Sequence, residues 1–194
     1  MTTTAPTTGQ FLESYRQIAD AINTERQMLS NNVDWSMLQA LTGADVACAA
    51  GTMNVRRIYV PETVTVTGVQ YLVGSVGGTH KVIATLYNSA GTLLRASAAA
   101  GATVGTAALV QQVPFALDGD LAAATTVELT PGYYWVGLTF EGTTPKFRAV
   151  LATGNVDTQI LGNGGLAQTF GTITGTITPP TTFTASKVPY AGTY

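Results

Sequence analysis

From Gly51 onward, apolar and polar residues alternate with a period of two, and Gly-, Pro- or Asn-containing turns cut the alternation at short intervals. Successive side chains of a strand point to opposite faces, so this pattern prescribes short strands with one face toward a core. Arg56-Ile58-Val60 and Val64-Val66 alternate around a turn at Pro61-Glu62-Thr63. Gly68 marks an expected bulge, after which Val69, Tyr71 and Val73 continue the strand. A Gly-rich loop then leads into Lys81–Tyr87, with Val82, Ala84 and Leu86 as its inward set. Asn88-Ser89-Ala90-Gly91 reads as a hairpin turn and Thr92–Ser97 as the returning strand. Leu109–Phe115, Thr126–Leu129, Tyr133–Phe140 and the stretch through Phe147, Ala149 and Leu151 complete the set. Strands this short, with turn signals at this spacing, predict an antiparallel, jelly-roll-like β-sandwich over residues 51–153.

The two ends read differently. Residues 1–8 are Thr-rich and polar, whereas Gln10 to Leu29 has a helical period. Phe11, Tyr15, Ile18, Ile22 and Leu29 fall on one stripe, and most of the charges fall off it. Residues 1–50 are therefore expected to form a tail and helical arm. Its stripe packs either on its own domain or on another subunit. Asp34 is placed to cap a second short helix through Leu41, with Gly43 as its stop signal. At the other end, residues 154–194 form a Thr/Gly-rich β extension. Thr169–Thr178 alternates strictly, with Gly171, Ile173, Gly175 and Ile177 on one face. A charge-free strand of this kind needs a partner, in its own sheet or a neighbour's.

Charge is scarce, and this narrows function. Asp, Glu, Lys and Arg make up 10% of 194 residues, against roughly a quarter in ordinary globular proteins. A net charge of -2 leaves no basic footprint for nucleic acid. Arg56 and Arg57 are adjacent on a strand, so they point to opposite faces and form no patch together. The first residues lack the features of a signal peptide, and no segment reaches the ~20 apolar residues of a membrane span. A single Cys, Cys48, excludes an internal disulfide and reads as a small buried hydrophobe.

Catalytic groupings are hard to assemble from such a chain. With one His (His80) there is no argued nucleophile–base pair, and a zinc site lacks ligands. The stretches GSVGG and GNGG read as turns rather than phosphate loops. Asp118-Gly119-Asp120, with Glu128 as a further oxygen donor, is a weak candidate for Ca²⁺, set against the commoner Asp-Gly turn. No cofactor is expected and no catalytic residue is assigned. The aromatic run is more informative. If Tyr134, Val136, Leu138 and Phe140 face the core, then Tyr133 and Trp135 share the opposite face. There they are either covered by protein or exposed as a platform for sugar rings.

Between Tyr59 and Leu151 the stretches VPETVTVTGVQYLVGSVGG, KVIATLYNSAGTLL and LTPGYYWVGLTFEGTT resemble the β-sandwich modules of tailed-bacteriophage virion proteins, such as capsid-decoration and fibre proteins. The likeness lies in the hairpins and in the Pro-Gly-aromatic entry to a central strand, and no functional residue is carried over by it. It implies a non-enzymatic structural protein of a virion, made in the host cytoplasm. It also implies a homotrimer or other symmetric oligomer that contacts other virion proteins through its N-terminal segment. The absence of a long fibrous repeat favours a decoration, head-fibre or adaptor protein. The alternative expectation is a carbohydrate-binding module that recognises a host glycan through Tyr133 and Trp135.

Overall fold

The computed structural model describes residues 44–75, 79–150, 163–181, 188–189 and 191–194. The stripe Phe11, Tyr15, Ile18, Ile22 and Leu29, and with it the expected helical arm, lies outside the described residues. Within them the chain is mainly β, without a helix, and is arranged as several antiparallel sheets.

The strands run in order as β1 (Ala44–Ala47), β2 (Thr52–Val60), β3 (Val64–Val66), β4 (Gly68–Leu72), β5 (Lys81–Asn88), β6 (Leu93–Ala96), β7 (Ala102–Thr103) and β8 (Val110–Pro114). They continue as β9 (Leu117–Asp118), β10 (Val127–Leu129), β11 (Gly132–Phe140), β12 (Lys146–Val150), β13 (Asn163–Ala167), β14 (Val188–Pro189) and β15 (Ala191–Thr193). The largest sheet has seven strands in the order β13-β2-β11-β5-β6-β9, with β7 also on β5. Smaller sheets are β1-β12-β14, β15-β4-β8 and the pair β10-β3. Strand β1 shows that sheet structure begins before the expected boundary at residue 51.

The centre of the large sheet is β11, paired along its length with β2 and β5. Its alternation sends Tyr134, Val136, Leu138 and Phe140 to one side. There they join Ile58 and Val60 of β2, Val82, Ala84 and Leu86 of β5, and residues from the smaller sheets, including Val69, Tyr71, Val113 and Phe147. Tyr71 meets the Phe140 ring edge-on at 5.8 Å, and Phe140 stacks with Phe147 at 5.9 Å. On the opposite side, Trp135, Met53, Val55, Tyr87, Leu93 and Ile177 form a second apolar cluster. Both faces of the sheet are therefore dry at its centre.

The C-terminal chain closes this arrangement. Strand β14 pairs with β12, and β15 pairs with β4. Buried Arg56 reaches from β2 to both strands, its Nη1 donating to the carbonyls of Ala191 at 2.8 Å and Pro189 at 3.4 Å. Arg57 takes the opposite face, as the alternation requires. Near the start of the fold, Arg148 pairs with Asp45 at 3.2 Å, and the Ser75 amide donates to the same carboxylate at 3.0 Å. Burial would raise the Asp45 pKa, but the Ser75 hydrogen bonds and the nearby Arg148 and Lys146 charges outweigh it and hold it below the usual value.

Three local expectations need correction. Gly68 is not a bulge, because its ladder with β8 runs on in register from Gly68↔Pro114. The strand breaks instead at Thr67, whose amide donates to the Tyr194 carbonyl at 2.7 Å. A Cβ on Gly68 would lie 2.5 Å from the Tyr194 ring, so the missing side chain makes room for the chain's last residue. The GNGG stretch is not a turn, since Asn163–Ala167 pairs with β2 as an edge strand. Glycine is needed there because a Cβ on Gly164 would meet the Pro180 ring at 2.8 Å.

The third correction concerns Thr169–Thr178, which is a strap rather than a strand. Thr172 turns back to Thr169 by a 3.2 Å backbone hydrogen bond, and Gly171 has φ 88. The strap then crosses the second face. The Leu93 amide donates to the Gly175 carbonyl, the Ile177 amide donates to the Gly91 carbonyl, and the Tyr87 hydroxyl donates to the Thr174 carbonyl at 3.0 Å. Ile177 is buried and Ile173 partly so, which preserves the expected inward parity of these two residues.

Gly91 is the tightest point of this crossing. It has φ 90, and a Cβ there would collide with the Ile177 carbonyl. Gly91→Ala is expected to cost about 1–3 kcal/mol, from left-handed strain and lost strap contact. A lower urea midpoint at unchanged slope is the measurement that checks it.

Candidate functional site

The register of β2 and β11 builds a short ladder of side chains on the second face. Tyr133 stands opposite Tyr59, and Trp135 opposite Arg57. Tyr133 and Trp135 thus share a face, as their spacing implied, but their environments differ. Trp135 is 4% exposed, packed in the cluster with Met53, Val55, Tyr87 and Ile177. Tyr133 is 45% exposed and Tyr59 42%. The cover over Trp135 comes from the chain's own strap, so the ring is withdrawn from any platform.

The space beside Trp135 is also filled from within. Gly137 lies on the same face, and a Cβ there would sit 2.5 Å from the Thr85 hydroxyl and 2.6 Å from the Met53 sulfur.

Tyr59, Tyr133 and Arg57 form a partly exposed group on this face. The two tyrosine rings lie 5.0 Å apart, tilted by 51°. The guanidinium carbon of Arg57 sits 4.7 Å from the centroid of the Tyr133 ring, a cation–π arrangement. The Arg57 Nε is buried and has no hydrogen-bond partner. Tyr59 and Arg57 were not selected from the sequence. Their parity, opposite to Ile58 and Val60, put them on this face, but only the β2–β11 register sets them beside Tyr133.

The remaining sequence-predicted residues lie in turns, on a strand and against a glycine. The Asp118 carboxylate accepts hydrogen bonds from the amides of Asp120 at 3.0 Å and Ala122 at 2.9 Å. It thereby closes a turn that holds Leu121 at φ 61. Glu128 lies on β10 opposite Thr65. No group of three or more His, Cys, Asp or Glu residues able to hold a metal ion occurs among the described residues. The ring of His80 packs against Gly142, where a Cβ would meet its Nδ1 at 2.7 Å.

Burial pushes the Cys48 thiol up to about 12, and it also raises the Tyr71 hydroxyl, which donates to Gln111 at 2.7 Å. A thiol held protonated inside a core is a poor nucleophile. Comparisons with protein-family models, curated proteins and solved structures return no match.

Trp135→Ala is expected to destabilise the fold by about 3–5 kcal/mol, as for a buried aromatic. Tyr133→Ala should cost less than about 1 kcal/mol, since half of that ring already faces solvent. Urea unfolding of the two variants side by side checks the contrast. Cys48 should resist a thiol reagent in the native protein at pH 8 and react once the chain is unfolded.

Proposed function

We propose that this chain is a non-enzymatic structural protein of a bacteriophage virion, a capsid decoration, head fibre or tail-fibre adaptor. In this reading a jelly-roll-like antiparallel sandwich forms the body, and the chain works through symmetric protein–protein assembly. The observation that carries it is a central sheet kept dry on both faces and tied down by its own C-terminal chain. Such a body invests its residues in rigidity. Asp118 closes a turn, Asp45 pairs with Arg148, and Cys48 packs in the core.

The resemblance of the Tyr59–Leu151 stretches to phage β-sandwich modules supports the same reading. The assembly contact falls to the N-terminal stripe of Phe11, Tyr15, Ile18, Ile22 and Leu29. An amphipathic helix must bury its apolar face, and a few large side chains at ~25 cal/mol per Å² supply several kcal/mol.

Light scattering on the full chain tests this. The wild type should have the mass of a trimer or other symmetric oligomer. Ile18→Asp combined with Ile22→Asp should yield a monomer with an unchanged β-type circular dichroism spectrum. A wild type that is monomeric at high micromolar concentration contradicts the assembly reading.

A further inference from the structure

The group formed by Arg57, Tyr59 and Tyr133 has a composition and a setting that the assembly reading does not use. We infer that it is a binding site for an acidic saccharide, a pyranose that carries a carboxylate. Three observations lead there.

The first is where the group lies in the sheet. Strand β13 accompanies β2 from Thr52 to Arg56, and β5 accompanies β11 from Phe140 to Tyr134. Beyond those limits, among the described residues, the large sheet tapers to β2 and β11 alone, and Tyr59 and Tyr133 form its last cross-strand aromatic pair. Ile177 packs with Trp135, whereas Tyr59 and Tyr133 at this rung are 42% and 45% exposed. The result is a small, rigid aromatic surface on regular backbone, where side chains are held more firmly than on a loop.

The second is the chemistry of the surface. Two half-exposed tyrosine rings offer flat apolar faces to the C–H face of a sugar, and the Tyr133 hydroxyl offers a hydrogen bond to its periphery. Among the described residues, the other exposed large hydrophobics are Leu109, which precedes β8, and Leu121, in the turn after β9 at the far edge of the large sheet. Neither extends the patch. Two rings and a guanidinium match one or two sugar units, and fall well short of the ~20–30 residues a side of a standard protein interface.

The third is charge. Arg57 is stacked on Tyr133 and so is held flat, and no carboxylate of a described residue pairs with it. A planar guanidinium is suited to receive a carboxylate through two parallel N–H···O bonds, and its partial burial strengthens that attraction. A neutral sugar would leave the cation unused. A carboxylated one places its ring on the tyrosines and its anion on Arg57 together.

Calorimetric titration of the full chain with an oligogalacturonate and with sialyllactose tests the inference, with lactose and glucose 6-phosphate as controls. Saturable binding of at least one carboxylated probe is expected, weakening as salt is raised. Arg57→Gln and Tyr133→Ala should each weaken it by about tenfold or more, the loss of one charge-assisted or stacking contact. Melting curves of both variants should match the wild type. Should Arg57→Gln prove unstable, Arg57→Lys retains the charge, and it should still lose most of the affinity because a point charge cannot form the fork.

Absence of binding to both carboxylated probes overturns the inference. Equal affinity for lactose overturns it, as does binding of glucose 6-phosphate alone. Carboxylate binding that survives intact in both variants removes the site from this rung.

Discussion

Strand β11 is hydrogen-bonded to β2 on one side and β5 on the other, and every residue from Tyr134 to Phe140 is buried. A strand in that position has no polar face to give to water, so both sides of the sheet must be covered. The smaller sheets cover one side through Tyr71, Val113, Phe147 and their neighbours. The other side would expose Met53, Val55, Tyr87 and Trp135 if nothing crossed it. At ~25 cal/mol per Å² of apolar surface, leaving those side chains wet would forfeit several kcal/mol. The strap through Ile173 and Ile177 follows from that need.

The same logic explains why so much of the C-terminal chain is committed to contact. Strands β13, β14 and β15 each add to a sheet built by earlier residues, and the Tyr194 ring packs against Gly68. The Arg56 guanidinium turns into this junction. Its hydrogen bonds to the Pro189 and Ala191 carbonyls join the large sheet to β14 and β15. Removing such a donor would leave buried carbonyls without their partner, which costs more than the hydrogen bond contributes.

Adjacent residues of one strand meet opposite fates here. Arg56 is enclosed and serves the closure of the fold, while Arg57 lies on a tyrosine at the surface. Likewise Trp135 is sealed by the strap, and Tyr133, two residues earlier on the same face, stays half open. Along a single face of β11, burial gives way to exposure between Trp135 and Tyr133. Because charge is scarce in the chain, an arginine there that pairs with no carboxylate of a described residue is informative.

Period-two alternation and turn residues by themselves determined most of the strands, because side-chain direction in a strand depends on parity alone. The inward set of β5, the inward set of β11 and the Asn88–Gly91 turn were legible on that basis. The buried character of Cys48 followed from its neighbours. Pairing was not legible, since parity is silent about which strands become neighbours. The edge strand at Asn163–Ala167, the strap in place of a strand at Thr169–Thr178, and the Tyr194 ring over Gly68 all arise from contacts between residues far apart in the chain. For the same reason the sequence left open which of the two aromatics is covered. The sequence placed Tyr133 and Trp135 on one face, but only the tertiary structure laid Ile177 over Trp135 and brought Arg57 and Tyr59, from a strand some seventy residues earlier, to the side of Tyr133.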